Sequence, residues 1–272
     1  MMEKFEWKYD TINFSGTKWI PQQFSTVIVL VHGIGEHIER YNDVADFFAK
    51  NDFAVTGIDH YGHGRSDGAR GSTKGYEFYF NYIAAFIEYV KHTCQKPVVL
   101  YGHSMGGGIV TAFVLKRHPD IEAVIISSPA FLLSTQTPPL LMLLLSLLNK
   151  IAPSFRIKQG LDINKISHDK KQVETFINDP LRHERISIRL AYDMIKNGEW
   201  CIKHARDLQI PALLIHGDHD AFTNVEGSRT FAKNAPQELL TYKEWKGGYH
   251  ELHNEPERMQ VLQFILEWLH QL

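Results

Sequence analysis

Short apolar runs alternate with helical stretches along most of the chain. Residues 26–32 (TVIVLVH) form a continuous apolar run, which is typical of a strand covered on both faces. The same criteria predict strands at 53–59, 97–101, 123–126, 212–216 and 239–245, with helices at 41–50, 76–92, 109–117, 226–234 and 255–272. This alternation predicts an α/β fold with a mostly parallel sheet and helices on both faces. In such sheets the chemistry lies at the carboxyl ends of the strands.

The alternation is broken between residues 131 and 205, where helical pieces are predicted at 171–176 and 186–198. We therefore expect a core made of residues 1–130 and 206–272. Residues 131–205 are expected to be an inserted helical cap over the edge of the sheet formed by the carboxyl ends of its strands.

One cap segment, residues 140–148 (LLMLLLSLL), is apolar on all sides but far shorter than the roughly 20 residues that span a bilayer. Three interpretations compete. The segment packs against the core, it forms an acyl-binding wall above the site, or it dips into a membrane surface. The last two are compatible, and the candidate acyl contacts are Leu140, Leu144 and Leu147.

Composition narrows the functional classes. The 272 residues are 44% hydrophobic and 22% charged, and the net charge of −2 with no dense basic run argues against a nucleic-acid partner. The two cysteines and 15 histidines match no metal-ligand spacing or disulfide framework, so we expect neither a metal nor a disulfide. The N-terminal segment lacks an apolar signal-peptide core, and we expect a cytoplasmic protein.

Ser104 lies in a Gly-x-Ser-x-Gly motif (GHSMG, residues 102–106) between a predicted strand and a predicted helix. A sharp turn of this kind strains the serine backbone and exposes its hydroxyl, while the first helical amides lie where an oxyanion would develop. The same motif also occurs in glycine-rich loops that carry an ordinary surface serine. The catalytic interpretation therefore depends on finding a base and a carboxylate.

Both partners are present in the order serine, acid, histidine. After the strand at 212–216, Asp218 directly follows a glycine and is expected to shape the turn. Asp220 has room to reach the site and is the favoured acid. After the last strand, His250 follows a Gly-Gly pair and is favoured over His253 as the base. The loop at 32–37 (HGIGEH) brings backbone close to the site, and the expected oxyanion donors are the amides of Ile34 and Met105.

Several of these motifs resemble those of monoacylglycerol lipases and bacterial lysophospholipases of the α/β-hydrolase superfamily. The resemblance is carried by residues 32–41 (HGIGEHIERY), 59–66 (DHYGHGRS), 102–107 (GHSMGG), 217–220 (GDHD) and 248–255 (GYHELHNE). It implies an α/β-hydrolase fold with Ser104 as nucleophile, Asp220 as acid and His250 as base. It also implies a lipid or ester substrate and no cofactor. In the second motif, Asp59, His60, Arg65 and Ser66 are expected to hold loops together rather than to contact the substrate.

The expected activity is hydrolysis of fatty-acyl esters of glycerol or glycerophospholipid through an acyl-enzyme, with transient membrane contact through the cap. A carboxylesterase for short soluble esters is one alternative. A cofactor-free perhydrolase or haloperoxidase would use the same three residues. A non-catalytic scaffold would be expected to lack one of them.

Overall fold

The computed structural model describes residues 2–135 and 137–272. Its strands are β1 (Met2–Tyr9), β2 (Ile12–Trp19), β3 (Thr26–Val31), β4 (Phe53–Ile58), β5 (Val98–His103), β6 (Ala123–Ser127), β7 (Arg156–Lys158), β8 (Arg185–Ser187), β9 (Ala212–Gly217) and β10 (Leu240–Trp245). Its helices are α1 (Asn42–Ala49), α2 (Tyr76–Cys94), α3 (Met105–Arg117), α4 (Pro139–Ile151), α5 (Lys170–Asn178), α6 (Ile188–Lys203), α7 (Val225–Asn234) and α8 (Arg258–Leu269).

Eight strands form one sheet in the order β1-β2-β4-β3-β5-β6-β9-β10. The six strands from β4 to β10 are parallel, while β1 and β2 form an antiparallel hairpin at one edge. The predicted α/β fold with a mostly parallel sheet is therefore confirmed, and each predicted core strand lies within two residues of its expected bounds.

The central strands β3, β4, β5, β6 and β9 are buried on both faces, as the continuous apolar runs predicted. In β3, Val27, Val29 and Val31 belong to the core under α2 and α3, whereas Ile28 and Leu30 belong to the core under α1 and α8. Alternate side chains of a strand point to opposite faces, so a strand with helices on both sides must be apolar throughout.

The N-terminal hairpin was not predicted. β1 carries Phe5, Trp7 and Tyr9 at alternate positions, and Trp7 packs edge-on against Phe86 of α2 with ring centroids 5.1 Å apart. A period-two pattern of aromatic residues is the signal that could have identified this strand.

Residues 131–205 contain α4, α5, α6 and the two-stranded β7–β8 pair, and neither of these strands joins the large sheet. Helix α6 nonetheless contacts the helix that follows Ser104, since Asn197 accepts a hydrogen bond from Lys116 at 3.2 Å. The division into a core and a cap at residues 131 and 205 stays a prediction.

The leucine-rich helix α4 corrects one interpretation of the sequence. None of its residues is buried, and Leu140, Leu143 and Ile151 are 78%, 68% and 72% exposed. The interpretation that this segment packs into the core is wrong, because only one side of the helix rests on α6. Among the described residues, no helix is both long and apolar enough to cross a membrane.

Candidate active site

Ser104 occupies the turn between the end of β5 and the start of α3. Its backbone has φ = 56° and ψ = −118°, a strained conformation for a residue with a side chain. The turn is held because the Ser104 amide donates to the Ser127 carbonyl of the neighbouring strand at 2.9 Å. Gly106 allows the close approach, since a Cβ there would collide with the carbonyl oxygen of Val31.

His250 and Asp220 meet Ser104 in a continuous line of hydrogen bonds. The Ser104 hydroxyl lies 2.9 Å from Nε2 of His250, and Nδ1 of His250 lies 2.6 Å from Oδ2 of Asp220. An ionised carboxylate only accepts hydrogen bonds, so Nδ1 carries the proton and Nε2 is free to accept the proton of the serine. All three side chains are buried at the carboxyl edge of the sheet.

Asp220 is held by a set of donors that sequence analysis missed. The backbone amides of Phe222 and Thr223 donate to its Oδ1 at 2.7 and 3.0 Å, and the Thr223 hydroxyl donates to Oδ2 at 2.7 Å. Nε2 of His216 lies 3.2 Å from the same Oδ2. No motif marked Thr223 or His216, since each acts only through the position of the carboxylate.

The electrostatics of this pair favour an ionised acid and a protonatable base. Burial alone would raise the pKa of Asp220, but His250 and His216 hold it well below its ordinary value. Burial lowers the pKa of His250, and the Asp220 carboxylate outweighs burial, so the pKa of His250 lies above its ordinary 6.5. An ionised Asp220 can therefore stabilise a His250 imidazolium without taking its proton.

The two expected oxyanion donors lie on either side of Ser104. Met105 is the first residue of α3, so its amide has no acceptor within the helix. Ile34 lines the cavity in the loop after β3, and that loop is close enough for a Cβ on Gly33 to lie 3.1 Å from Cβ of Ser104. Within residues 2–135 and 137–272, neither the Ile34 nor the Met105 amide makes a hydrogen bond. Both are free to bind a substrate oxygen.

The less favoured alternatives, Asp218 for the acid and His253 for the base, have other contacts. Asp218 accepts a hydrogen bond from the Gly247 amide at 2.5 Å and so shapes the turn after β10. His253 is buried and stacks on Tyr41 with ring centroids 5.0 Å apart, and it makes no hydrogen bond with any described residue. Neither side chain reaches Ser104.

The loop after β4 holds its neighbours together, as expected. The Asp59 carboxylate accepts hydrogen bonds from the amides of Ile38 and Arg65, both at 2.8 Å. Ser66 donates to the Asp59 carbonyl at 2.6 Å, and the ring of His60 contacts the Tyr82 hydroxyl at 2.5 Å. None of these side chains lines the cavity.

Ser104 and His250 open into a cavity of about 450 Å³ between the sheet and residues 131–205. Most of its wall is apolar, formed by Ala130, Leu133, Leu141, Ile157, Leu161, Ile163, Ile166, Phe176, Ile186, Ala191, Met194, Ile195 and Phe222. Polar side chains contribute the remainder, among them Lys158, Gln159, Arg182, His183 and Glu184. The site is an apolar pocket with few polar groups, the usual form of a small-molecule site.

The leucines that line the cavity differ from those expected to contact the acyl chain. Leu141 lies on the cavity wall, whereas Leu140, Leu144 and Leu147 do not and are 78%, 48% and 53% exposed. The sequence could not identify the inward residue, because a segment that is apolar on every side carries no facial pattern. The two cysteines, Cys94 and Cys201, are free thiols and lie outside the cavity wall.

Comparison with known proteins agrees with this architecture. A family model described as "Serine aminopeptidase, S33" matches residues 22–257. A monoacylglycerol lipase from Mycolicibacterium smegmatis is 32% identical over 245 residues, which are 89% of this chain and 87% of that protein. The phospholipase YtpA from Bacillus subtilis is 30% identical over 245 residues, 89% of this chain and 94% of that protein.

Among solved structures, a monoacylglycerol lipase from Paleococcus ferrophilus superposes with a TM-score of 0.85 and 34% sequence identity. The superposition covers 94% of this chain and 98% of that one.

Proposed function

The chain belongs to the hydrolase family described as serine aminopeptidase, S33, and from this premise we propose that it hydrolyses long-chain fatty-acyl esters of glycerol or glycerophospholipid. It is a serine hydrolase of the α/β-hydrolase fold. The observation that carries the proposal is the line Ser104–His250–Asp220 opening into a mostly apolar cavity. The nucleophile thus meets a space suited to an acyl chain.

In the first half-reaction, the Ser104 oxygen attacks the ester carbonyl carbon while His250 Nε2 takes the hydroxyl proton. The electron pair of the carbonyl moves to its oxygen, which the amides of Ile34 and Met105 bind. Collapse of this intermediate breaks the bond to the alcohol. The leaving oxygen receives the proton from His250, and the acyl group stays on Ser104.

In the second half-reaction, water replaces the alcohol. His250 takes a proton from the water as its oxygen attacks the acyl carbon, and the same two amides bind the new oxyanion. Collapse releases the fatty acid and returns the proton to Ser104. Asp220 remains ionised throughout and keeps the His250 ring in the required tautomer and orientation.

The acyl chain is assigned to the apolar wall of the cavity, which includes Leu133, Leu141, Met194 and Ile195. Burial of each methylene of the chain there contributes about 0.8 kcal/mol. The head group is assigned to the polar side of the cavity, near Lys158 and Arg182. A glycerol or a glycerophosphate unit would find hydrogen-bond partners there.

Helix α4 is proposed to contact the lipid surface from which the substrate enters. Its leucines are exposed over most of its length, and Phe155 continues the apolar surface with 63% exposure. An exposed apolar face of this kind is suited to shallow insertion among lipid acyl chains. The free thiols of Cys94 and Cys201 are consistent with the expected cytoplasmic location.

The proposal is tested by a substrate panel. We expect kcat/KM for p-nitrophenyl esters to rise from acetate to long-chain acyl groups, and long-chain monoacylglycerol or lysophospholipid to be hydrolysed faster than any short soluble ester. A steep preference for acetate or butyrate would identify a short-chain carboxylesterase instead. Efficient cleavage of aminoacyl p-nitroanilides, with no activity on lipid esters, would also contradict the proposal.

A further inference from the structure

A buried ion triad lies beneath the proposed active site. Arg40 donates to Oε2 of Glu36 at 2.5 Å and forms two hydrogen bonds with Glu251, at 2.7 and 2.8 Å. The second oxygen of Glu36 accepts from the Gly33 amide at 2.5 Å and from the Tyr41 hydroxyl at 2.9 Å. One guanidinium therefore joins two carboxylates from distant parts of the chain.

The triad is withdrawn from water. The side chains of Arg40, Glu36 and Glu251 are 8%, 4% and 2% exposed, and the ring of Phe176 covers the guanidinium at 4.3 Å. Desolvation of three charges is costly, and a buried ion pair often stabilises a fold no better than apolar residues of similar volume. The triad is therefore better explained by the loops that it holds in place than by a contribution to the stability of the fold.

The two ends of the triad reach the two loops that the proposed reaction needs. Glu36 accepts the hydrogen bond of the Gly33 amide and so fixes the loop, in which the next amide, that of Ile34, has no hydrogen-bond partner among the described residues. Glu251 directly follows His250 in the chain and also accepts from the Asn254 side chain at 2.7 Å. Arg40 thus connects the oxyanion loop to the base loop through hydrogen bonds to both carboxylates.

We propose that Glu36, Arg40 and Glu251 form a positioning unit that fixes the Ile34 amide and the His250 ring at a set separation across the reacting carbonyl. This inference rests on the proposed function, since it assumes that these two groups act on the substrate. A planar guanidinium suits the role, because it binds two carboxylates in one fixed geometry, which a flexible ammonium does not.

The triad also carries a charge next to the base. Burial raises the pKa of Glu36 despite Arg40, whereas Arg40 overcomes burial and lowers the pKa of Glu251 to about 2. Every hydrogen-bond partner of the Glu36 carboxylate is a donor, which matches its ionised form. With both carboxylates ionised the triad has a net charge of about −1, which favours the His250 imidazolium.

His250 is surrounded by few other charges. Asp220 lies on its Nδ1, the rings of His103 and Phe222 pack against it at 4.8 and 4.9 Å, and His253 lies behind His103. Burial holds the pKa of His103 well below its ordinary value and lowers that of His253 to about 4, so both rings are neutral at pH 7. Besides Asp220, the nearby groups that stabilise positive charge on His250 are Glu251 and Glu36.

Arg40→Lys tests the geometric role. Lysine keeps the charge but cannot hold both carboxylates in the same plane, so we expect kcat to fall between about 10- and 100-fold with KM little changed. The matched control is Arg229→Lys, because Arg229 also makes paired hydrogen bonds, to Glu244, but it is exposed and lies outside the cavity wall. Thermal unfolding establishes that both variants are folded. A folded Arg40→Lys variant with the kcat of the wild type would overturn the inference.

Glu251→Gln tests the charge and gives a readout that a purely structural role would not move. Loss of this negative charge lowers the pKa of His250, and His250 must be neutral to accept the serine proton. The acidic limb of the kcat/KM profile should therefore move to lower pH, by about half a unit. A limb that stays in place or moves to higher pH would contradict the electrostatic role.

Failure of this inference is distinguishable from failure of the proposed function. If Ser104→Ala hydrolyses long-chain esters at the wild-type rate, the proposed function itself is wrong. If Ser104→Ala is inactive while Arg40→Lys and Glu251→Gln are folded and keep the wild-type kcat and pH profile, only the positioning role is wrong.

Discussion

The Asp220 carboxylate is held by hydrogen bonds to both of its oxygens. Two backbone amides, a hydroxyl and two imidazole nitrogens converge on its two oxygens. This arrangement leaves the carboxylate no freedom to rotate away from His250. The precision of the proposed base therefore originates in the loop after β9 rather than in His250 alone.

Asp220→Asn replaces one carboxylate oxygen by an amide nitrogen and so tests the hydrogen bond between Asp220 and His250. An asparagine in this position favours the wrong tautomer of His250, and we expect kcat to fall about 10⁴-fold, as in other Ser-His-Asp enzymes. Asp218→Asn is the matched control, because Asp218 lies two residues away and serves only the turn at Gly247. Equal losses in the two variants would contradict the assigned role of Asp220.

Ser104, Asp220 and His250 were chosen from sequence because their order and their positions after strands follow from the topology of the fold. Thr223 and His216 lie outside the quoted motifs, and the motif at residues 32–41 that contains Arg40 gives no indication that Arg40 contacts Glu251. Their contacts span loops that come together only in the folded chain, and a single polar residue has no pattern that marks it.

Helix α3 packs closely on β5, because glycines at the turn remove the side chains that would separate these two elements. A Cβ on Gly102 would lie 2.5 Å from the carbonyl oxygen of Gly106. A Cβ on Gly106 would meet the carbonyls of Val31 and His32, which belong to backbone that cannot move aside.

Gly106→Ala should lower the free energy of unfolding by about 1–3 kcal/mol or more, since overpacking against backbone cannot be relieved by rotation of a side chain. Gly108→Ala provides the control two residues further along α3. The nearest atoms to its Cβ are 3.6 Å away, and alanine is favoured over glycine in a helix, so we expect stabilisation by up to about 1 kcal/mol. Urea unfolding of both variants measures the difference. The same sign for both changes would refute this packing argument.

The exposed leucines of helix α4 are expected to contact lipid rather than to stabilise the fold. Leu143 is 68% exposed and lies outside the cavity wall, so Leu143→Glu should leave stability and hydrolysis of a short soluble ester unchanged. Hydrolysis of a long-chain substrate presented in vesicles should fall about tenfold or more, because insertion of a leucine contributes about 1.5–3 kcal/mol. Met259→Glu changes a comparably exposed residue (56%) on α8 and should not alter either rate. Equal vesicle activity in the two variants would count against membrane contact through α4.

Elements were predictable where the chain has a continuous apolar run or a helical period, whereas the alternating pattern of the eight-residue strands β1 and β2 was missed. The parallel strands and the core helices satisfy this condition, and their bounds agree closely with the sequence. The strands β7 and β8 have three residues each and were missed, since so short a segment contains barely one repeat of a strand pattern. The leucine-rich helix was located correctly, but its surroundings were not determined by its own composition.

Over the whole molecule, the pH dependence of stability is set largely by buried neutral histidines. Burial lowers the pKa of His32, His63 and His103 well below 6.5, that of His60 to about 3, and those of His183 and His253 to about 4. Their neutral form is therefore favoured in the folded state, whereas the unfolded chain takes up protons near pH 6.5.

The lowered pKa values of these histidines determine how the free energy of unfolding changes with pH. Below pH 6.5 the unfolded state binds more protons than the folded state, so the free energy of unfolding should decrease as the pH falls. Each fully buried histidine contributes up to about 1.4 kcal/mol per pH unit until its folded-state pKa is reached. His250, whose pKa is raised, acts in the opposite direction but is one group against several. Urea unfolding at pH 7.5 and pH 5.5 should show a clearly lower midpoint at pH 5.5, and an unchanged midpoint would contradict this account.

The molecule as a whole combines a sheet edge that presents Ser104 with an inserted segment that shapes the space above it. We propose that Ser104 is the nucleophile for long-chain ester hydrolysis. The most direct test is kcat/KM for a long-chain monoacylglycerol with the wild type and with Ser104→Ala, after thermal unfolding has shown equal stability. We expect a loss of several orders of magnitude, approaching the roughly 10⁶-fold typical of such nucleophiles. Hydrolysis by Ser104→Ala at a rate near that of the wild type would contradict the claim.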